Sequence, residues 1–311
     1  MLKVVFMGSP EFAVPTLEAL IAHPDCEVCA VVTQPDKPAG RGKQLTPPAV
    51  KVCAQAHSIP FYQPEKLKTQ EMYDILSGIA PDFFVTIAYG KILRQAFLDI
   101  PKIAPLNLHA SLLPKYRGAA PVQWAILNGE KETGVCLMKM DAGMDTGPVY
   151  AREVVAIDPK ETPITLFDKL SKVSAQILMK HLFEIASGKL EPVAQAGEPT
   201  MAPMLDKSMG LVDFDQDAHA LACRIRGLSG WPNAYTFYQG KRLVIHEADA
   251  VETSSDAQPG TIISLDADKS MLVACKSGML AIRALQMEGK KRMDAESFFN
   301  GYRPAGIVLS A

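Results

Sequence analysis

The sequence predicts two domains of different class: an α/β domain with a mostly parallel sheet covered by helices on both faces, then a small β-barrel. Three observations predict them. At 311 residues the chain is long for one hydrophobic core, which favours about two domains. Up to residue 187, apolar strand-like runs alternate with helical patterns, as in a parallel sheet with crossover helices. Beyond residue 205, short strand-like runs follow one another with turn signals between them, the pattern of a small barrel.

The elements follow in chain order. Residues 3–7 (KVVFM) are a short apolar strand ending at Gly8. Apolar residues at helical spacing over 12–22 predict the first helix. Residues 26–33 are apolar and β-branched, like an interior parallel strand. A loop rich in Pro, Gly and Lys covers 34–48, a helix 50–56, an amphipathic stretch 70–77 and another buried strand 82–87. Strands at 105–109 and 134–140 enclose a helix at 122–127, and a long helical pattern runs over 164–187. Ligands of such sheets bind beyond the carboxyl ends of the strands, near the switch in strand order. The polar stretch 188–203, with Glu191-Pro192 and Glu198-Pro199, reads as a connection. A helix at 218–225 then precedes strands at 234–238, 242–246, 260–264, 272–275 and 280–285. Gln239-Gly240, Gln258-Pro259-Gly260 and Ser277-Gly278 are turns among them. The expected division is 1–187, a linker at 188–205, and 206–311.

Composition narrows the class. With 48% hydrophobic and 21% charged residues, the chain has the make-up of a soluble globular protein. No apolar run reaches the roughly 18–20 residues of a membrane span. MLKVVFMGSPEF has no basic n-region, long apolar core or small-residue cleavage site, so a cytoplasmic protein with no membrane partner is expected; a monomer is expected too, although no residue pattern here fixes the oligomeric state. Six cysteines sit mostly among apolar neighbours; Cys26 and Cys29 have the spacing of half a zinc site, but no second pair follows. The six histidines are scattered without ligand spacing, which disfavours a metal hydrolase. A net charge of −2 excludes a bulk polycation, so nucleic acid would have to be held by local clusters of Lys and Arg.

The densest chemical signal is Asn107-Leu108-His109-Ala110-Ser111-Leu112-Leu113-Pro114. Side chains two apart on a strand share a face, so Asn107 and His109 project together while Leu106 and Leu108 face the other way. An amide donor and an imidazole at one strand end suit a reaction that develops negative charge on oxygen. A polar strand end with satisfied hydrogen bonds would read the same way. The strand 134–140 runs into Asp141-Ala-Gly-Met-Asp145-Thr-Gly147-Pro148, a sharp loop able to carry a carboxylate to a neighbouring strand end. On the residues alone, both aspartates could equally be making turn hydrogen bonds. No G-x-S-x-G elbow surrounds Ser111, which argues against a serine nucleophile. Ser9 and Pro10 after the first strand are no G-x-G-x-x-G fingerprint, which argues against a nicotinamide or flavin.

NLHASLLPKYRGAAPVQWAI and GVCLMKMDAGMDTGPV resemble the signature of the folate-dependent formyltransferases. FMGSPEFAVPTLEAL, TQPDKPAGRGKQLTPPAVK, PDFFVTIAYGKIL and PGTII extend the resemblance over nearly the whole chain, towards the members whose acceptor is the α-amino group of methionine on initiator tRNA. It is very specific in the first domain and looser in the second, where Leu228-Ser-Gly-Trp231-Pro232 retains only the Trp-Pro of the usual motif. The resemblance implies a Rossmann-like first domain and an OB-type barrel. It implies Asn107, His109 and Asp145 as the catalytic trio and 10-formyltetrahydrofolate as donor. Tyr89, Gly90, Ile92, Leu93, Ser111, Leu112, Leu113 and Pro114 would line the folate pocket, mainly through backbone groups. The loop 36–47, centred on Arg41, would contact the tRNA acceptor end. Metal is not implied.

Charge carries the tRNA expectation less far. Residues 34–51 hold Lys37, Arg41, Lys43 and Lys51 against Asp36 alone; a solvated surface loop would have the same charge. Residues 206–311 carry 12 Lys plus Arg and 13 Asp plus Glu, so any basic face there must come from clustering. Candidates are Lys207, Arg224, Arg226, Lys241, Arg242 and the run Lys290-Lys291-Arg292. The rival reading is a formyltransferase for an amino-sugar nucleotide, which would share the trio but not need the basic loop. A glycinamide-type enzyme would lack the last hundred or so residues, and a silent tRNA-binding protein would not need the trio.

Overall fold

The computed structural model describes residues 1–39, 44–253 and 255–310. Up to residue 186 the strands are β1 (Leu2–Gly8), β2 (Cys26–Val32), β3 (Lys37–Ala39), β4 (Gln44–Thr46), β5 (Phe61–Tyr62), β6 (Phe83–Ile87), β7 (Ala104–His109), β8 (Glu132–Lys139) and β9 (Val149–Ala156). The helices are α1 (Val14–Ala22), α2 (Ala49–Ala56), α3 (Gln70–Ile79), α4 (Gln95–Leu98), α5 (Pro121–Leu127) and α6 (Pro163–Ala186). Local chemistry sets several boundaries. Thr69 Oγ1 accepts from Met72 N at 3.2 Å and starts α3, and Ala80 ends it in the left-handed conformation.

By contacts the chain forms two compact units. The first comprises Met1–Pro121, Glu132–Ala156 and Phe167–Pro203; the second comprises Val122–Lys131, Ile157–Leu166 and Met204–Ala311. The first unit holds a seven-stranded sheet in the order β5-β2-β1-β6-β7-β8-β9. β5, β2, β1, β6 and β7 are mutually parallel, whereas β8 pairs antiparallel with β7, and β9 antiparallel with β8. The mostly parallel α/β class expected from the alternation is therefore present. Full burial of β6, all five residues apolar except Thr86, is what a sheet covered on both faces demands. β9 escapes sequence patterning because it is an edge strand, with Arg152, Glu153 and Val154 exposed. The hairpin β3–β4, in a stretch that reads as loop, is exposed along β4. Arg41 and Lys43 lie outside the described residues.

The stretch 188–203 is laid down on the first unit. Val193 and Val149 exchange backbone hydrogen bonds at 2.8 and 2.9 Å. Arg117 N donates to Thr200 O at 2.8 Å, and Ala202 N donates to Arg117 O at 2.7 Å.

The second unit holds α7 (Ala218–Gly227), β10 (Ala234–Tyr238), β11 (Lys241–Val251), β12 (Ile262–Leu265), β13 (Met271–Ala274), β14 (Met279–Met287), β15 (Met293–Asp294) and α8 (Ala295–Tyr302). Asp217 caps α7 and Asp294 caps α8. The sheet runs β10-β11-β14-β13-β12, all antiparallel, with β15 on β14. Residues 308–310 bridge both of its edges: Ser310 pairs with Phe237 on β10, and Val308 with Thr261 just before β12. That pairing curls the sheet into the small barrel expected, around a core including Leu221, Leu243, Ile245, Ile262, Leu280 and Phe298.

Candidate active site

β7 lies where the sheet changes from parallel to antiparallel pairing, with β6 on one side and β8 on the other. Leu106 and Leu108 are buried. Asn107 and His109, on the opposite face, pair in register with Met138 and Cys136 of β8. Both sit at the carboxyl end of the strand, where this sheet class places ligands.

The loop after β8 returns a carboxylate to this point. Asp141 Oδ1 accepts from Gly143 N at 3.0 Å and Thr146 Oγ1 at 2.7 Å, which tightens the loop. Gly147 is obligatory, because a Cβ there would lie 1.9 Å from Lys139 O. Asp145 stands at φ +53°, a left-handed conformation that Asp and Asn tolerate better than most residues. Its Oδ1 lies 3.5 Å from Asn107 Nδ2 and 3.6 Å from His109 Nδ1. Its Oδ2 accepts from Gly118 N at 2.8 Å. One carboxylate oxygen is thus tethered to the backbone and the other faces the amide and the imidazole.

His109 is 6% exposed, and its Nε2 donates to Tyr116 O at 2.9 Å. A carbonyl oxygen can only accept, so Nε2 carries the proton and Nδ1 is the nitrogen presented to Asp145. The three groups expected together on sequence grounds, Asn107, His109 and Asp145, converge on one point. An amide donor, an imidazole and a carboxylate in that arrangement can polarise a carbonyl, stabilise the resulting oxyanion and move a proton.

The segments expected to bind folate follow the carboxyl ends of neighbouring parallel strands, β6 and β7. Tyr89 and Leu93 are buried, at 1% and 2% exposure, in the apolar core with Met7 and Leu67. Burial also pushes the Tyr89 phenol up to about 12. Their side chains belong to the core, and only backbone remains for a ligand. Gly90 and Ile92 are exposed. Ser111 is fully buried and its hydroxyl donates to Lys115 O at 2.7 Å, a backbone carbonyl rather than a general base. Leu113 packs with Cys136, Met138 and Val149; Pro114 is buried and Leu112 half-buried.

The basic positions divide. Lys37 Nζ donates to Gln34 Oε1. Lys51, counted among the loop's positive charges, pairs with Asp36 at 2.8 Å. Gln63 Nε2 also donates to Asp36, at 2.7 Å, and these contacts, Gln63 first and Lys51 second, hold the Asp36 carboxyl below the usual range. Lys51 is therefore an anchor for the loop base rather than a free cation. In the second unit Lys207, Lys290 and Lys291 are exposed. Arg224 donates to Met209 O at 2.6 Å and Arg226 to Pro159 O, while Arg292 pairs with Glu247. These guanidiniums brace the unit itself.

Sequence reasoning missed the groups that hold the trio in place: Tyr116 O, Gly118 N and Gln195. Gln195 Nε2 donates to the carbonyls of Asp145 and Gly147, both at 2.8 Å. The Lys115-Tyr-Arg-Gly118 turn after β7 hinted at the first two; no local signal marked Gln195.

The family described as formyl transferase matches residues 2–182, and its C-terminal domain matches residues 204–303. A methionyl-tRNA formyltransferase of Citrifermentans bemidjiense is 46% identical over 310 residues, covering 99% of this chain and 96% of its own. That of Geobacter sulfurreducens is 46% identical over 304 residues, covering 97% and 94%. A solved N-formyltransferase of Helicobacter canadensis, in complex with folinic acid and dTDP-3-aminofucose, superposes with a TM-score of 0.65 over 94% of this chain and 100% of its own. At 17% identity, that likeness is one of fold.

Proposed function

This chain belongs to the formyl transferase family, and from that premise we propose that it transfers the formyl group of 10-formyltetrahydrofolate to the α-amino group of methionine on initiator tRNA, for translation initiation in the cytoplasm. Support comes from 46% identity, over nearly the full length, to methionyl-tRNA formyltransferases. The observation that carries the chemistry is Asp145 Oδ1 within 3.6 Å of both Asn107 Nδ2 and His109 Nδ1. Residues 1–187 supply catalysis, 188–205 the connection, and 206–311 further tRNA contacts, and the chain acts as a monomer.

The free amine adds its lone pair to the formyl carbon, and the carbonyl oxygen becomes an oxyanion. Asn107 Nδ2 donates to that oxygen. His109 can join it only as imidazolium, through Nδ1–H, since Nε2–H is committed to Tyr116 O. Asp145 stabilises that imidazolium and accepts the proton shed by the attacking amine. The C–N10 bond then breaks, the C=O re-forms, and the proton ends on N10. Backbone groups of Tyr89, Gly90, Leu93 and 111–114 bind the folate, with the Ile92 side chain exposed beside them. Lys37, Arg41, Lys43, Lys207, Lys290 and Lys291 meet tRNA phosphates.

The test is mass analysis of Met-tRNA after incubation with the protein and 10-formyltetrahydrofolate. A gain of one formyl group is expected. Formylation of a nucleotide-linked amino sugar instead, with Met-tRNA unchanged, overturns the reading.

A further inference from the structure

Gln195 joins three segments of the first unit. Its Nε2 donates to Asp145 O and Gly147 O, each at 2.8 Å. Its Oε1 accepts from Arg117 Nε at 3.2 Å and Nη2 at 2.7 Å. A side-chain amide has two protons and two lone pairs, so its hydrogen-bonding capacity is filled. The residue after Arg117 is Gly118, whose N–H tethers Asp145 Oδ2. Gln195 therefore grips the Asp145 loop from both sides: directly at its backbone carbonyls, and through Arg117 next to the amide that holds its carboxylate.

The loop needs such a grip. Asp145 occupies a left-handed conformation at φ +53°, which persists in a non-glycine residue when its surroundings over-determine it. Gln195 is itself fixed. Two residues before it, Val193 pairs with Val149 of β9; five after it, Thr200 accepts from the backbone of Tyr116 and Arg117. The stretch that reads in sequence as a mere connection thus reaches the site.

We propose that Gln195, oriented by Arg117, is a positioning residue that sets where the Asp145 carboxylate stands relative to His109 and Asn107, and through it the turnover rate. This rests on the formyl-transfer reading of the site. Gln195→Glu keeps the shape and the Arg117 partner but removes both N–H donors, setting a carboxylate against two carbonyl oxygens. Displacing a catalytic group by about 1 Å can cost about 100-fold in rate. Full-length wild type, Gln195→Glu, Gln195→Met and Arg117→Lys are compared for kcat, for KM towards each substrate, for the pH profile of kcat and for amide exchange at residues 141–147. The expected result is a kcat loss approaching about 100-fold in both Gln195 variants and about tenfold in Arg117→Lys, with KM little changed. Amide exchange of the loop should be faster in each. In Gln195→Glu, kcat should partly recover as pH falls and the introduced acid regains a donor proton. Wild-type kcat, pH profile and loop exchange in Gln195→Glu would overturn the proposal, because a space-filling role survives an isosteric change. Exchange is read without substrate, so it judges the positioning even if wild type proves unable to formylate Met-tRNA, a result that would overturn the functional reading itself.

Discussion

Two aspartates, each beyond the carboxyl end of a strand of the same sheet, have been put to opposite uses. Asp36, after β2, is met by Lys51 at 2.8 Å and by Gln63 at 2.7 Å. Its charge is neutralised locally and its oxygens are occupied. Asp145, after β8, has one oxygen tethered to Gly118 N and the other turned towards an amide and an imidazole at 3.5 and 3.6 Å. A carboxylate matched with a lysine is a fixed staple for the base of a loop. A carboxylate held by a neutral backbone N–H keeps an oxygen available for proton transfer. On the proposed reading of the site, environment, not residue type, separates anchor from reagent.

The sharpest way to break this contrast is to remove the reagent. Asp145→Ala, Asn107→Ala and His109→Ala should each lower kcat by about 100- to 1,000-fold in the Met-tRNA assay, with thermal unfolding little changed. Near-normal turnover in Asp145→Ala would erase the distinction. Gly147→Ala comes next. The new methyl would meet Lys139 O, so the loop must move. Activity should fall together with stability, by about 1–3 kcal/mol on chemical denaturation; an unperturbed variant would mean that the loop is not held as described.

Smaller effects belong to the binding surfaces. Replacing Lys290 and Lys291 together with Ala should weaken tRNA binding and flatten the log–log salt dependence by up to about 2, with kcat at saturation unchanged. An unaltered slope would remove these lysines from the interface. The smallest change is expected of Asp36→Asn, a few-fold rise in KM for Met-tRNA at constant kcat. Linkage gives this variant a second readout. The folded carboxyl lies below its ordinary range, so its stabilisation is present above the unfolded value and fades as pH falls through the folded one. The stability gap between wild type and Asp36→Asn should thus be constant above about pH 5 and close in acid; a gap that widens in acid would show that the carboxyl is not held charged.

Much of this was legible in the linear chain. The parallel strands announced themselves as apolar β-branched runs, and period-two geometry alone put Asn107 and His109 on one face. Asp145 needed more: its approach to His109 rests on β8 pairing antiparallel with β7, a choice of strand order that local pattern does not encode. β9 was missed because its exposed edge breaks the apolar run. Lys51 was only counted among the loop's positive charges, because its pairing with Asp36 spans fifteen positions of a Pro-rich loop.

The sequence by itself determined the fold class, the strand that carries the amide and imidazole, and the glycines and aspartates of the returning loop, because these depend on spacing within a few residues. Only the tertiary structure decided which imidazole nitrogen meets Asp145, which carboxylate is stapled, and that Gln195 reaches the site from fifty residues away. Those outcomes depend on hydrogen bonds between segments distant in the chain, and such bonds leave no periodicity for a linear reading to detect.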